Sequence, residues 1–127
     1  MNKNSKNLGF LGEEEAVKYL QNNGYKVLDR NFKNNLGRRL GEIDIIAKDQ
    51  KENELVFVEV KTREYEKYKD TDPEENITYA KLRKLAKIAN VYLRLKKLEN
   101  ESYRFDAISV WINNKTKEVK IKHIPNL

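Results

Sequence analysis

Gly41-Glu42-Ile43-Asp44-Ile45-Ile46-Ala47 and Leu55-Val56-Phe57-Val58-Glu59-Val60-Lys61-Thr62 flank a polar stretch at 48–53. The two apolar runs predict strands over 42–47 and 55–62 joined by a turn. By the two-residue period of a strand, Val56, Val58 and Val60 share one face, and Leu55, Phe57, Glu59 and Lys61 share the other. Apolar side chains on both faces predict a central strand covered on both sides. In the preceding strand Ile43 and Ile45 share a face, and Asp44 and Ile46 the opposite one. The turn is centred near position 51, and the midpoint of 44 and 59 is 51.5. An antiparallel hairpin with that centre puts Asp44 opposite or diagonal to Glu59, with Cβ atoms roughly 5–8 Å apart.

Outward from this hairpin, a first helix is predicted over 6–22, closed by Gly24 in the left-handed cap position that glycine fills at least cost. A short strand follows over 25–32, then a loop over 34–41 carrying Arg38 and Arg39. Residues 64–76 read as a long charged loop, a candidate for mobility. From 78 to about 98, Leu82, Leu85, Ala86, Ala89 and Leu93 recur at helical spacing. A last hairpin is expected over 103–112 and 118–124, turning at Asn113-Asn114. The order α-β-β-β-α-β-β is that of an α+β or mixed α/β fold. With 127 residues, 39% of them hydrophobic, and no repeat or low-complexity linker, the expectation is one domain over 1–127.

Composition removes several chemistries. The chain has no cysteine, which excludes disulfides, zinc–thiolate sites, iron–sulfur clusters and a thiol nucleophile. Its one histidine, His123, cannot build a His-rich metal site. A metal held here would need oxygen ligands, which favours Mg²⁺, Mn²⁺ or Ca²⁺. The first residues lack a signal-peptide pattern, and the longest apolar run is Leu55-Val56-Phe57-Val58. The expectation is a soluble cytoplasmic protein without a membrane partner. Net charge is +6. Six acids against two bases fall within 64–76, while 77–98 carries seven bases and no acid. That separation favours a polyanionic partner.

The informative residues are polar ones where burial is expected. At about 100° per residue, Glu13 lies in the middle of the stripe formed by Gly9, Ala16, Val17 and Leu20. A carboxylate there is costly unless it is paired, reaches water at a frayed helix start, or meets a cation. Asp44 and Glu59 repel each other at hairpin distance. One is protonated, or Lys61 bridges them, or a divalent cation sits between them. The last alternative uses every residue: Asp44, Glu59 and the Val60 carbonyl hold Mg²⁺ or Mn²⁺, which polarises a phosphodiester and acidifies a water. Lys61 would orient that water or stabilise charge developing on phosphate, and Glu13 would serve as an auxiliary ligand. The competing reading is a surface Asp/Glu/Lys ion-pair cluster.

Asp44, Glu59-Val60-Lys61 and Glu13 together resemble the PD-(D/E)XK nuclease superfamily, whose α-β-β-β-α-β core matches the element order. More closely, the chain resembles the YraN-type family, which is similar to archaeal Holliday junction resolvases. The matching segments are Gly9-Phe10-Leu11-Gly12-Glu13, Gly24-Tyr25, Arg30-Asn31, Gly41-Glu42-Ile43-Asp44-Ile45-Ile46-Ala47, Val56-Phe57-Val58-Glu59-Val60-Lys61-Thr62-Arg63, Lys81 and Arg104-Phe105-Asp106. Ile43 stands where the superfamily pattern has proline. The resemblance implies a restriction-endonuclease-like fold with an extra C-terminal strand. It also implies a metal-dependent endonuclease acting on DNA, with branched or damaged DNA as the substrate class and RNA not excluded.

Arg63, Lys81, Lys84, Arg38 and Arg39 are the candidates for phosphate contact. Tyr65 and Tyr68 are candidate stacking groups or loop anchors. Arg104 and Asp106 are expected to pair inside the sheet, His123 to be structural, and Trp111 to lie in the core or at an interface. Two symmetric cuts in a junction would require a homodimer. The alternative function is a nucleic-acid-binding module on a nuclease fold, with little or no cleavage, acting through a partner.

Overall fold

The computed structural model describes residues 3–33, 41–64 and 78–127, with side chains from Leu8 onward in the first helix. Its elements are α1 (Lys3–Asn22), β1 (Tyr25–Lys33), β2 (Glu42–Asp49), β3 (Glu54–Glu64), α2 (Tyr79–Leu95), β4 (Tyr103–Ile112) and β5 (Val119–Ile124). The predicted order holds. The strands form one mixed sheet in the order β1-β2-β3-β4-β5. β3 and β4 are parallel, joined through α2, and the other neighbours are antiparallel. This mixed α/β architecture is compatible with a nuclease-like α+β fold. No helix among the described residues is long and apolar enough to cross a membrane.

β3 is the middle strand, and its alternation divides the apolar residues between two cores, as its doubly apolar sequence predicts. Val56 and Val58 pack with Ala16 and Leu20 of α1 and with Ile45, Ile108 and Val110 of neighbouring strands. Leu55 and Phe57 pack on the other face with Leu85, Ile88, Ala89, Tyr92 and Leu93 of α2. Each fully buried Leu, Ile, Val or Phe side chain contributes about 1.5–3 kcal/mol. The two helix contacts therefore fix the height and tilt of the strand that carries Glu59 and Lys61.

Several element ends differ from expectation, and three of the shifts have a local reason. β2 runs on to Asp49, because Lys48 and Asp49 still pair with Leu55 and Glu54. The Asp49 carboxylate then accepts from the Lys51 and Glu52 amides at 3.1 and 3.2 Å and closes the turn. β3 continues through Arg63 and Glu64, which pair with Trp111 and Ile112 of β4, so Glu64 is a strand residue and not the start of a loop. α2 stops at Leu95 rather than near 98. Lys97 takes the left-handed conformation (φ 57), and the amides of Leu98 and Lys97 return to the carbonyls of Leu93 and Arg94. Those two bonds are the Schellman closure. At the other end Thr78 caps the helix, its hydroxyl accepting from the Lys81 amide at 3.1 Å. The remainder of the charged loop lies outside the described residues.

Gly12 sets the approach of α1 to β3. A Cβ at this buried position would lie 2.6 Å from the Thr62 Cβ. Neither atom can swing aside, since both are fixed by backbone. Alanine gains about 1 kcal/mol of helix propensity over glycine, but here it forces the helix off the strand. Gly12→Ala is expected to lose a net 1–3 kcal/mol, at about the usual cost of overpacking. A urea midpoint unchanged from the native protein would refute this contact.

Candidate active site

The β2–β3 pairing runs from Asp49–Glu54 to Ile45–Val58 and stops there. Its register sums to the centre inferred from the turn, so the next positions along it are Asp44 with Glu59 and Ile43 with Val60. Instead of continuing the ladder, the strands open into a fork. The Val60 amide, which would bond to Ile43, donates to Asp44 Oδ2 at 2.8 Å. A residue's N–H and C=O leave a strand on the same edge. The Val60 carbonyl therefore also faces the fork.

Both carboxylates are held away from water. Burial pushes the Asp44 carboxyl up to about 7. The Val60 amide opposes this shift, and the charges of Glu59, Glu13 and Glu42 reinforce it. Glu59 Oε1 lies 3.2 Å from Lys81 Nζ, with the Glu59 side chain only 13% exposed. Its other oxygen, Oε2, is buried and accepts no hydrogen bond among the described residues. An acceptor left in that condition costs about 1–3 kcal/mol unless another donor or a cation supplies the missing interaction.

Lys61 follows Glu59 on the same face of β3. Its amine is held below the usual lysine range by the neighbouring Lys81 side chain, by burial and by that neighbour's charge. Glu59 and Asp44 pull the other way. Glu13 approaches from α1. Burial raises its carboxyl, the charge of Arg30 and a hydrogen bond from Asn31 lower it, and the charges of Glu42 and Glu14 raise it again.

Thus Asp44, Glu59 and Lys61 converge at the fork, with Glu13 electrostatically coupled to Asp44 from the opposite helix. A cleft of about 410 Å³ opens beside them, lined by Gly41, Glu42, Glu59, Lys81 and Lys84. Two of the expected phosphate ligands, Lys81 and Lys84, therefore border the site. Arg63 lies farther along β3, half-buried and paired in register with Trp111. Arg38, Arg39, Tyr65 and Tyr68 lie outside the described residues. Among the described residues, no group of three His, Asp or Glu side chains forms a ready-made metal cage. The oxygen donors at the fork are two carboxylates and a backbone carbonyl.

Sequence reasoning missed Glu42, Arg30 and Asn31. Glu42 was detectable as an acid two residues before Asp44; the regular alternation expected of β2 breaks here, since Ile43 joins Ile46 in the core under α2 while Ile45 lies in the other. The Glu42 carboxylate lines the cleft, with Lys33 Nζ at 3.8 Å. Asn31 was not detectable: it adopts a left-handed conformation (φ 54) within β1 and acts on Glu13 across the packing of two elements.

A second polar cluster is separate from the fork. Arg104 Nη1 donates to Asp49 and Glu54 at 3.0 and 3.1 Å, Nε to Asp106 at 3.0 Å, and Nη2 to the Tyr25 hydroxyl at 2.9 Å. His123 Nε2 lies 2.7 Å from Asp106, and its Nδ1 3.1 Å from the Tyr19 hydroxyl. This network ties β5 and α1 to the centre of the sheet, the structural part expected of Arg104, Asp106 and His123. Trp111 is buried, as expected.

The family model described as uncharacterised protein family UPF0102 matches residues 12–110. A UPF0102 protein of Clostridium beijerinckii is 44% identical over 124 residues, covering 98% of this chain and 94% of that protein. One from Caldicellulosiruptor saccharolyticus is 43% identical over 123 residues, covering 97% and 98%. A Clostridium botulinum relative is 44% identical over 123 residues, covering 96% and 94%. With the match running from the α1–β3 contact at Gly12 to the middle strands of the sheet, the chain belongs to the UPF0102 family, the YraN-type proteins.

Proposed function

We propose that the protein is a Mg²⁺- or Mn²⁺-dependent endonuclease that hydrolyses phosphodiester bonds in DNA, with branched or damaged DNA as the substrate class. The observation that carries this reading is the fork itself. Asp44 caps the Val60 amide at 2.8 Å beside Glu59, whose buried Oε2 has no hydrogen-bond partner among the described residues. The donor set suits a hard divalent cation. Asp44 and Glu59 would hold it together with the Val60 carbonyl, and the remaining positions fall to water and to substrate phosphate, as Mg²⁺ prefers. When bound, such an ion polarises the phosphodiester and lowers the pKa of a water.

The chain's own residues supply the rest. Lys61, beside Glu59 on the same face of β3, is suited to hold the attacking water, whose proton passes to solvent, and to stabilise the charge developing on phosphate. Water oxygen bonds to phosphorus, the P–O bond to the leaving nucleotide breaks, and the departing oxygen gains a proton. Lys84 and the acid-free face of α2 bind flanking phosphates. Glu13 and Glu42 add negative potential that favours a doubly charged cation over a proton at Asp44.

The test is cleavage of four-way-junction, flap, single-stranded and linear duplex DNA, with Mg²⁺, Mn²⁺ or EDTA, by native and Lys61→Ala proteins purified identically. Metal-dependent cutting that the variant loses is the expected result. Equal cutting by both would overturn the assigned site. Salt-sensitive binding without cutting by either would favour the binding-module reading.

A further inference from the structure

Lys81 sits where a cation belongs. Its ammonium is 3.2 Å from Glu59 Oε1, in the first turn of α2 at the mouth of the cleft. Its side chain is 28% exposed, more than twice the 13% of Glu59, so it can leave for the cleft while Glu59 stays. Lysine is a point charge on a flexible stem, able to exchange one anionic partner for another without a fixed geometry.

We propose that Lys81 is a displaceable counter-ion. It neutralises Glu59 while the site is empty, and it moves to a substrate phosphate in the cleft as that phosphate arrives, restoring the full negative charge of Glu59 to the divalent ion. This inference rests on the fork being a metal site. The ammonium on Oε1 neutralises the carboxylate whose open oxygen, Oε2, would meet the ion, so Lys81 opposes metal binding in the free protein. A nucleic-acid phosphate offers Lys81 a second anion of equal charge, with Lys84 alongside. Metal and nucleic acid therefore bind with positive coupling, and linkage makes the effect reciprocal. The consequence is economy of metal: the ion is retained where substrate is present.

Calorimetric titration of Mn²⁺ into the full-length native, Lys81→Met, Lys81→Arg and Asp44→Asn proteins tests this without reference to turnover. Removing the competing ammonium is expected to tighten Mn²⁺ binding about two- to fivefold, the usual scale of a partly exposed ion pair. Lys81→Arg should bind Mn²⁺ as the native protein does. A short duplex with phosphorothioate linkages should tighten Mn²⁺ binding by the native protein several-fold and change Lys81→Met little. Equal or weaker Mn²⁺ binding by Lys81→Met, beside native binding that Asp44→Asn abolishes, overturns the counter-ion role and leaves the metal site standing. If the native protein shows no Asp44-dependent Mn²⁺ binding, both fall.

Discussion

Asp44→Asn is expected to lose metal-dependent phosphodiester hydrolysis by about a thousandfold or more, and yet to melt at a higher temperature than the native protein at pH 8. The loss follows from removing one of two carboxylates that would hold the ion, whose charge stabilisation is worth several kcal/mol; each 1.4 kcal/mol or so is tenfold in rate. The gain in stability follows from linkage. The folded Asp44 carboxyl lies near 7 against an ordinary value of 3.8. Between those pH values the folded state keeps a proton that the unfolded chain releases. Stability from this group therefore falls as pH rises through the interval, and the full penalty is present above pH 7. Asparagine keeps an oxygen for the Val60 amide and carries no charge. It should stabilise the metal-free protein by about 1–3 kcal/mol at pH 8, or about 5–10 °C in Tm. Below about pH 4 the difference should vanish. Mn²⁺ should raise the melting temperature of the native protein and leave the variant unmoved, because only the native site binds the ion. Thermal melts across pH 4–8, with and without Mn²⁺, check each part; a variant less stable than native at pH 8 would refute the buried-carboxylate account.

Arg104→Met carries the largest expected loss of stability. The Arg104 side chain is only 10% exposed, and it serves Asp106, which has no exposed surface at all, along with Asp49 and Glu54. Burial alone would raise the Asp106 carboxyl, but His123, Arg104 and the Asn126 amide hold it below the usual range. Asp49 is likewise held low, burial being outweighed by the Glu52 amide and Arg104. These groups stabilise the native state above about pH 4, and that contribution is lost as pH falls through their lowered values. Removing the guanidinium leaves a buried carboxylate without its main cation, a change that costs about 3–5 kcal/mol. Arg104→Lys should recover only part, because an ammonium cannot place donors on four partners at once. Urea denaturation at pH 7 measures the loss, and a change under about 1 kcal/mol would show the network to be dispensable.

The contrast between fork and network explains what the sequence could disclose. The hairpin centre near 51.5 placed Asp44 beside Glu59 because register follows from turn position and alternation, both local properties. Gly24 marked the end of α1, and it has a positive φ of 86. The mixed apolar faces of 55–58 identified the middle strand, because a doubly covered strand has no polar side to show. Other features depend on meetings between distant elements. Gly12 is written in the chain as an ordinary helical glycine, and only the approach of Thr62 explains it. Lys81 was legible as a phosphate candidate near the start of α2, but that it reaches Glu59 shows only in the fold. Glu42 stood beside Asp44 in plain view, but its part in the field of the fork shows only once β2 and β3 separate. The helix end at 95 was missed because a lysine, not a glycine, takes the left-handed cap.

An anomalous-difference map from crystals soaked in Mn²⁺ tests the two-carboxylate site most directly. The account predicts one strong peak in the fork, about 2.0–2.3 Å from an oxygen of Asp44 and an oxygen of Glu59. It also predicts no peak there in Asp44→Asn crystals. A fork without manganese in the native crystals, or a peak unaltered by Asp44→Asn, would contradict the assignment.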